Sequence, residues 1–351
     1  MRRLPFLVAA LALALPAACG GKAPPPSAVP EAVREPTTTT VPPPPPISSL
    51  TGLPVKSADV LRRPVVAVKV ENSPDARPQA GFENADLVYE EVVEGGITRF
   101  IMFFQSTDAE LVGPIRSARP VDRDILVQFG RPVLAFAGGI STFVDALAAA
   151  GVALVTEDDG DDTGLTRRRD RYAPHNLYAA TKDLRDFALK AGKTASGLPL
   201  TAPFSFAGAG QAATTTSSTT PTSVVVDFSP DARMEWDYQA GSWVRYEGNG
   251  YAFLTEAGDS VKAANVLIMA VAEVSTGNVD ASGSPVPSWQ MVGSGSLTAL
   301  LGNGHMVTGT WDRQSAGGLT QYLDSSGRPL LLTPGVTWIQ LLPSDRGVTA
   351  S

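Results

Sequence analysis

Apolar and polar positions follow two different rhythms along this chain. Between residues 53 and 198, runs rich in Val, Ile and Phe at 64–71, 87–93, 99–105 and 132–137 are each bounded by turn residues, which predicts strands. Residues 122–129, 142–150 and 181–190 carry the spacing of amphipathic helices. In the second of these, Ser141 or Thr142 is the expected N-cap, Asp145 falls in the first turn and Gly151 supplies the stop. This mixture predicts an α/β N-terminal domain. Beyond residue 224 the apolar runs shorten, at 224–228, 234–238, 243–246, 266–272, 288–292, 298–301, 305–311 and 337–342, and turns separate nearly all of them. Gly302-Asn303-Gly304 and Ser325-Ser326-Gly327 are hairpin signals, so a mainly antiparallel β (α+β) C-terminal domain is expected. Residues 208–223 are polar, low in complexity and without periodicity, which marks a linker or long exposed loop between domains at 49–207 and 224–345.

The first 48 residues do not fit either rhythm. Arg2 and Arg3 precede an apolar run to Ala18 that is too short for a comfortable membrane span and reads as a cleavable signal peptide, residues 1–18. It ends in Leu15-Pro16-Ala17-Ala18-Cys19-Gly20, which resembles the bacterial lipobox, although Pro16 stands where an aliphatic residue is usual. Cys19 is the only cysteine, so within the chain it has no disulfide partner, and acylation of that residue is the expected modification. Residues 19–48 then form a Pro-rich tether, extended and semi-rigid, that cannot bury a core. The expected location is the outer face of a bacterial cytoplasmic membrane, with the lipid bilayer as the first partner.

Charge narrows the function classes. A formal net charge of −7 argues against a broad nucleic-acid surface, so any anion site has to be local. With two histidines and one cysteine placed at the anchor, a zinc site of several His and Cys ligands is excluded, and neither a metal nor another cofactor is expected.

The polar residues of the first region gather at turns. Asn72 with Ala76-Arg77-Pro78-Gln79, Val88-Tyr89-Glu90 with Glu94-Gly95-Gly96-Ile97-Thr98-Arg99, Gly113-Pro114 with Arg116-Ser117-Ala118-Arg119, and Ala173-Pro174-His175-Asn176-Leu177-Tyr178 together resemble the YerB-like lipoprotein family. In the second region Asn265-Val266, Gly293-Ser294-Gly295, Asn303-Gly304, Gly309-Thr310-Trp311 and Gly335-Val336-Thr337-Trp338-Ile339 continue the likeness, which spans roughly residues 50–343. The resemblance implies an envelope lipoprotein with two domains. Both are of unknown function, so it supplies neither a reaction nor catalytic residues.

The site therefore rests on the residues themselves. Arginine outnumbers lysine 21 to 7 in the whole chain, and none of the lysines lies between Val70 and Thr181. The guanidinium is a planar fork of donors suited to carboxylate or phosphate. Arg77, Arg99, Arg116 and Arg119 are ligand-binding candidates, with structural pairing to Glu90, Glu91, Glu94, Asp122 or Asp124 as the competing reading. Glu90, Glu94, His175 and Asn176 are candidates for hydrogen bonding or acid–base work. The turn Gly138-Gly139-Ile140-Ser141 opens a helix and can receive an anion, but Phe143 replaces the glycine that a nucleophile elbow needs. His305, the acidic run 157–162 and the five tryptophans read as a hairpin residue, a solvated loop and core. The preferred reading is a non-enzymatic lipoprotein that binds an anionic cell-envelope component or a wall-assembly protein. The alternatives are a hydrolase of wall glycan or phosphodiester using His175 and a carboxylate, and a purely structural partner of wall-synthesis machinery.

Overall fold

The computed structural model describes residues 44–197, 199–280 and 282–351, together with Gly21. The signal segment, Cys19 and the tether as far as residue 43 lie outside the described residues. In the N-terminal region the order is α1 (Ala58–Arg62), β1 (Val66–Glu71), β2 (Leu87–Val92), β3 (Thr98–Phe104), α2 (Val121–Leu126), β4 (Val133–Ala135), α3 (Ser141–Ala149), β5 (Ala153–Val155) and α4 (Thr181–Lys190).

β1, β2 and β3 are buried at every position, because both faces of the sheet are covered, and the charged residues they carry are buried along with their apolar ones. They form a mixed sheet. β3 pairs antiparallel with both β1 and β2, and β4 and β5 extend the β1 edge in parallel. On the other side, Thr337–Pro343 pairs in parallel with β2 and with Asn265–Val271. Gly293–Leu300, Met306–Arg313 and Gln321–Asp324 then continue antiparallel, so one 11-stranded sheet runs through both sequence regions. A five-stranded antiparallel sheet, built around Ser223–Ser229, Ala232–Gln239 and Ser242–Glu247, packs against its centre. Trp236, Trp243 and Trp338 are fully enclosed at that junction, with Trp236 meeting Trp338 edge-on at 5.2 Å between ring centroids. Trp289 and Trp311 are buried as well.

Three local details differ from the sequence reading. Helix α3 begins one residue early: Ile140 holds the extended cap conformation, Ser141 is already helical, and no side chain caps the end. Asp145 consequently lies beyond the first turn, which holds no acidic residue, whereas Gly151 does end the helix at a φ of 82°. The polar stretch 208–223 is a loop fastened at several points: the Thr214 amide donates to Leu331 O at 3.0 Å, Ser218–Thr219 pairs with Met306–Arg313, and Ser218 Oγ meets His305 Nδ1 at 2.6 Å. Finally, Glu273–Val279 and Pro285–Trp289 form a hairpin whose first strand is mostly exposed and of polar composition and gave no strand signal, while the second begins and ends earlier than the run expected at 288–292. The Trp289 indole anchors it by donating to Val92 O at 2.9 Å.

A candidate anion-binding cleft

The motif residues divide into two sets, one used internally and one facing a cleft. Glu90 belongs to the first. Although it was a site candidate, it is fully buried and accepts from Arg245 Nη1 and Nη2 at 2.9 and 2.8 Å, Gln340 Nε2 at 2.8 Å and Thr98 Oγ1 at 2.9 Å. The Arg245 guanidinium is walled by Phe100, Trp236, Phe253 and Trp338, all within 5.5 Å. Glu90 and Arg245 thus bind the two sheets together. Arg77 sits elsewhere, donating to Asn72 Oδ1 and Asn72 O at 3.1 Å and pairing with Glu247 at 2.6 Å. It lines a groove of about 680 Å³ with Asn72, Gly95 and Arg233, larger than the cleft described next, but each of its three nitrogens already has a partner within the chain. Asn176 is used by its own loop, accepting from Arg167 Nη1 at 2.9 Å and donating to Arg168 O at 3.1 Å.

Arg99, Arg116 and Arg119 do come together, with Glu94, Ser117 and Gly139, around a cleft of about 380 Å³. Its floor is the loop 113–119, which backbone bonds fasten on both sides. The amides of Ile115 and Arg116 donate to Leu177 O at 2.7 Å and Lys69 O at 2.9 Å, and those of Ala137 and Ala118 run between the loop and residues 137–138 at 3.0 Å. Gly113, at a φ of 151°, allows the close approach: a Cβ there would lie 2.7 Å from the Tyr178 ring and 2.8 Å from Leu177 O.

Beneath the loop lies a charged group that the sequence reading did not find. Lys69 is fully buried, pairs with Glu91, and donates to Asp122 Oδ1 at 2.6 Å. Asp122 Oδ2 in turn accepts the Arg119 amide at 2.8 Å. Burial, reinforced by the Asp122 carboxylate and only partly offset by Lys69, pushes the Glu91 carboxyl up to about 8.

Within the cleft the arginines are unequally used. Arg119 directs Nε and Nη2 at Glu94 Oε2, at 2.8 and 2.6 Å, and Nη1 at Ala118 O. Arg116 Nε contacts Glu71 Oε2 at 3.2 Å without the alignment of a hydrogen bond. Arg99 is only 6% exposed, donates Nη1 to Ser117 O at 3.0 Å, and has a buried Nε with no partner. Burial first, then repulsion from Arg119 and Arg116, lowers the Arg99 guanidinium to about 10. Ile140 and Phe143 of the α3 end complete the wall; Ser141 is the first residue of that helix and Gly138 precedes it at a φ of 76°. Asp280 and Val286 from the hairpin also line it, and no sequence signal connected them to the site.

His175 lies behind Arg116. Its Nδ1 meets Glu71 Oε2 at 2.8 Å, and Ser73 Oγ donates to Glu71 Oε1 at 2.9 Å. The carboxylate partner of His175 is therefore Glu71, not Glu90 or Glu94, because β1 ends at Glu71 directly under this loop.

Comparison with known proteins agrees with this division of the chain. The family described as "Protein of unknown function (DUF3048)" matches twice, its N-terminal domain over residues 50–194 and its C-terminal domain over residues 224–339. "Putative lipoprotein YerB" of Bacillus subtilis (strain 168) is 30% identical over 303 residues, covering 84% of this chain and 85% of that protein. The crystal structure of YerB from Bacillus subtilis superposes with a TM-score of 0.73 at 26% identity, over 87% of this chain and 99% of that one. The two-domain architecture, with a mixed N-terminal sheet and mostly antiparallel strands in the C-terminal region, is that of the family.

Proposed function

This chain belongs to the DUF3048 family of YerB-like lipoproteins, and from that premise we propose that it is a lipid-anchored extracytoplasmic protein that binds an anionic cell-envelope component through the cleft of Arg99, Arg116 and Arg119. The observation that carries the reading is Arg99. A buried guanidinium with no ion-pair partner among the described residues, set beside two further arginines, is unfavourable in the protein alone and is relieved by an oxyanion. The address rests on Cys19 at the end of an apolar leader and on the relative's name.

The test is sedimentation of the full chain with isolated cell-wall fragments, at rising salt, for wild type and Arg116→Lys. Lysine retains the charge but loses the fork, so retention drops by about tenfold, the scale of one charge-assisted hydrogen bond. Undiminished retention by Arg116→Lys removes the cleft from the binding surface. For the anchor, mass spectrometry of the mature N-terminus should find an acylated Cys19, and an unmodified terminus elsewhere ends that part of the reading.

A second reading has its own observation. The contact of His175 Nδ1 with the buried Glu71 at 2.8 Å is the arrangement of a general base, and it supports hydrolysis of a wall glycan or phosphodiester. Under this reading His175→Gln abolishes release of soluble wall fragments and leaves retention on the wall intact. Retention without any release by wild type leaves binding alone.

A further inference from the structure

The charges around the cleft do not sum to a simple anion site. Arg119 is neutralised by Glu94, and Arg116 by Glu71 beneath it. Two of the charges that line the cleft remain without an ion-pair partner among the described residues, Arg99 and Asp280. Asp280 Oδ1 is spent on its own turn, accepting from the amides of Ser282 and Ser284 at 2.8 and 2.9 Å and from Ser282 Oγ at 2.6 Å. Its Oδ2 has no such bond, and Asp280 is only half-buried on the cleft rim. A ligand carrying negative charge alone would meet Arg99 favourably and Asp280 unfavourably.

Resting on the anion-site reading above, we infer that the cleft takes a zwitterionic group: a phosphate-type oxyanion on Arg99 and Arg116, and an ammonium a few bonds away on Asp280. The residues that line the cleft come from three elements, β3, the 113–119 loop and the uncapped start of the nine-residue α3. Convergence from separate directions suits a tetrahedral oxyanion better than a planar carboxylate, which a single arginine fork satisfies. Phe143 and Val286 offer apolar contact to the short carbon chain joining the two charges. The same chemistry occurs in an aminoalkyl phosphate of a lipid headgroup and in an amine-bearing phosphodiester polymer of the wall.

Asp280→Asn separates this from plain anion binding by the sign of its effect. The asparagine oxygen retains the bonds to residues 282 and 284, while the negative charge is lost. Calorimetric titration uses the full chain in detergent with three probes: phosphoethanolamine, inorganic phosphate and glycerol 1-phosphate. The expected result is that phosphoethanolamine binds wild type about tenfold more tightly than either simple phosphate, as one charge-assisted contact allows, and that Asp280→Asn erases the preference. Displacement of phosphoethanolamine by vesicles containing phosphatidylethanolamine assigns the lipid source, and displacement by wall fragments assigns the polymer. Equal binding of all three probes, strengthened by Asp280→Asn, overturns the zwitterion while leaving the anion site standing. No binding of any probe, with no retention on wall fragments, overturns both.

Discussion

Arg245→Met tests what joins the two sheets. Arg245 is 1% exposed and its partner Glu90 is fully enclosed, so the substitution removes the two hydrogen bonds of 2.8–2.9 Å to Glu90 and leaves that carboxylate with Gln340 Nε2 and Thr98 Oγ1 as donors. Both of those are neutral. An uncompensated charge of this kind costs about 3–5 kcal/mol, and the methionine restores part of the packing against Phe253 and Trp338 that the arginine stem supplied. For a folded unit of this size the melting temperature falls by on the order of 10 °C. Arg245→Met combined with Glu90→Gln removes both charges and retains the acceptor that Gln340 and Thr98 need, so the double variant recovers to within about 2 kcal/mol of wild type. Urea unfolding followed by tryptophan fluorescence reads this well, because Trp236 and Trp338 border the pair. A cost below about 1 kcal/mol for Arg245→Met, or a double variant as unstable as the single, would show that aromatic packing alone holds the junction.

Three further outcomes are expected. Glu91 has its pKa raised from 4.5 to about 8 by burial, so its contribution to stability is complete below pH 4.5 and is lost as pH rises through about 8; Glu91→Gln, neutral throughout, flattens that decline in denaturation curves measured between those limits. Arg119→Ala strands Glu94 and lowers stability by about 3 kcal/mol, whereas Arg116→Lys, at a pair with a 24% exposed arginine side chain, changes it by less than about 1 kcal/mol; comparable melting shifts for the two would contradict the unequal roles assigned to them. Limited proteolysis cuts first in the tether, and a nick between 208 and 212 leaves fragments associated through Thr337–Pro343 and β2, so their separation by gel filtration under native conditions would refute the shared sheet.

The elements were legible where local pattern and burial agree. β1 to β3 stand out in the sequence because strands covered on both faces are rich in Val, Ile and Phe even where a charged residue interrupts them, and α4 occupies the predicted span, Thr181–Lys190. The Glu273–Val279 strand was not legible, because it is exposed and built of Ser, Thr, Gly and Asn. Nor was the pairing of Thr337–Pro343 with β2, which joins residues about 250 positions apart and leaves no trace in periodicity.

The candidate site shows why residue type alone did not separate scaffold from cleft. Turns rich in Arg and Glu were visible, and both of their uses occur a few residues apart: Glu90 and Arg99 flank the same β2–β3 turn, yet Glu90 points to the five-stranded sheet and Arg99 lines the cleft. Strand alternation sends neighbours to opposite faces, so Glu90 and Glu91 part company at once, one to Arg245 and the other to Lys69. What distinguishes Arg99 is a buried guanidinium with no carboxylate paired to it among the described residues, and this depends on how residues from β3, the 113–119 loop and a hairpin near residue 280 meet in space. A partner deficit is a property of the assembled fold. Sequence can nominate the arginine, but only the count of charges and donors against acceptors around it separates a residue that lines the cleft from one that ties the scaffold together.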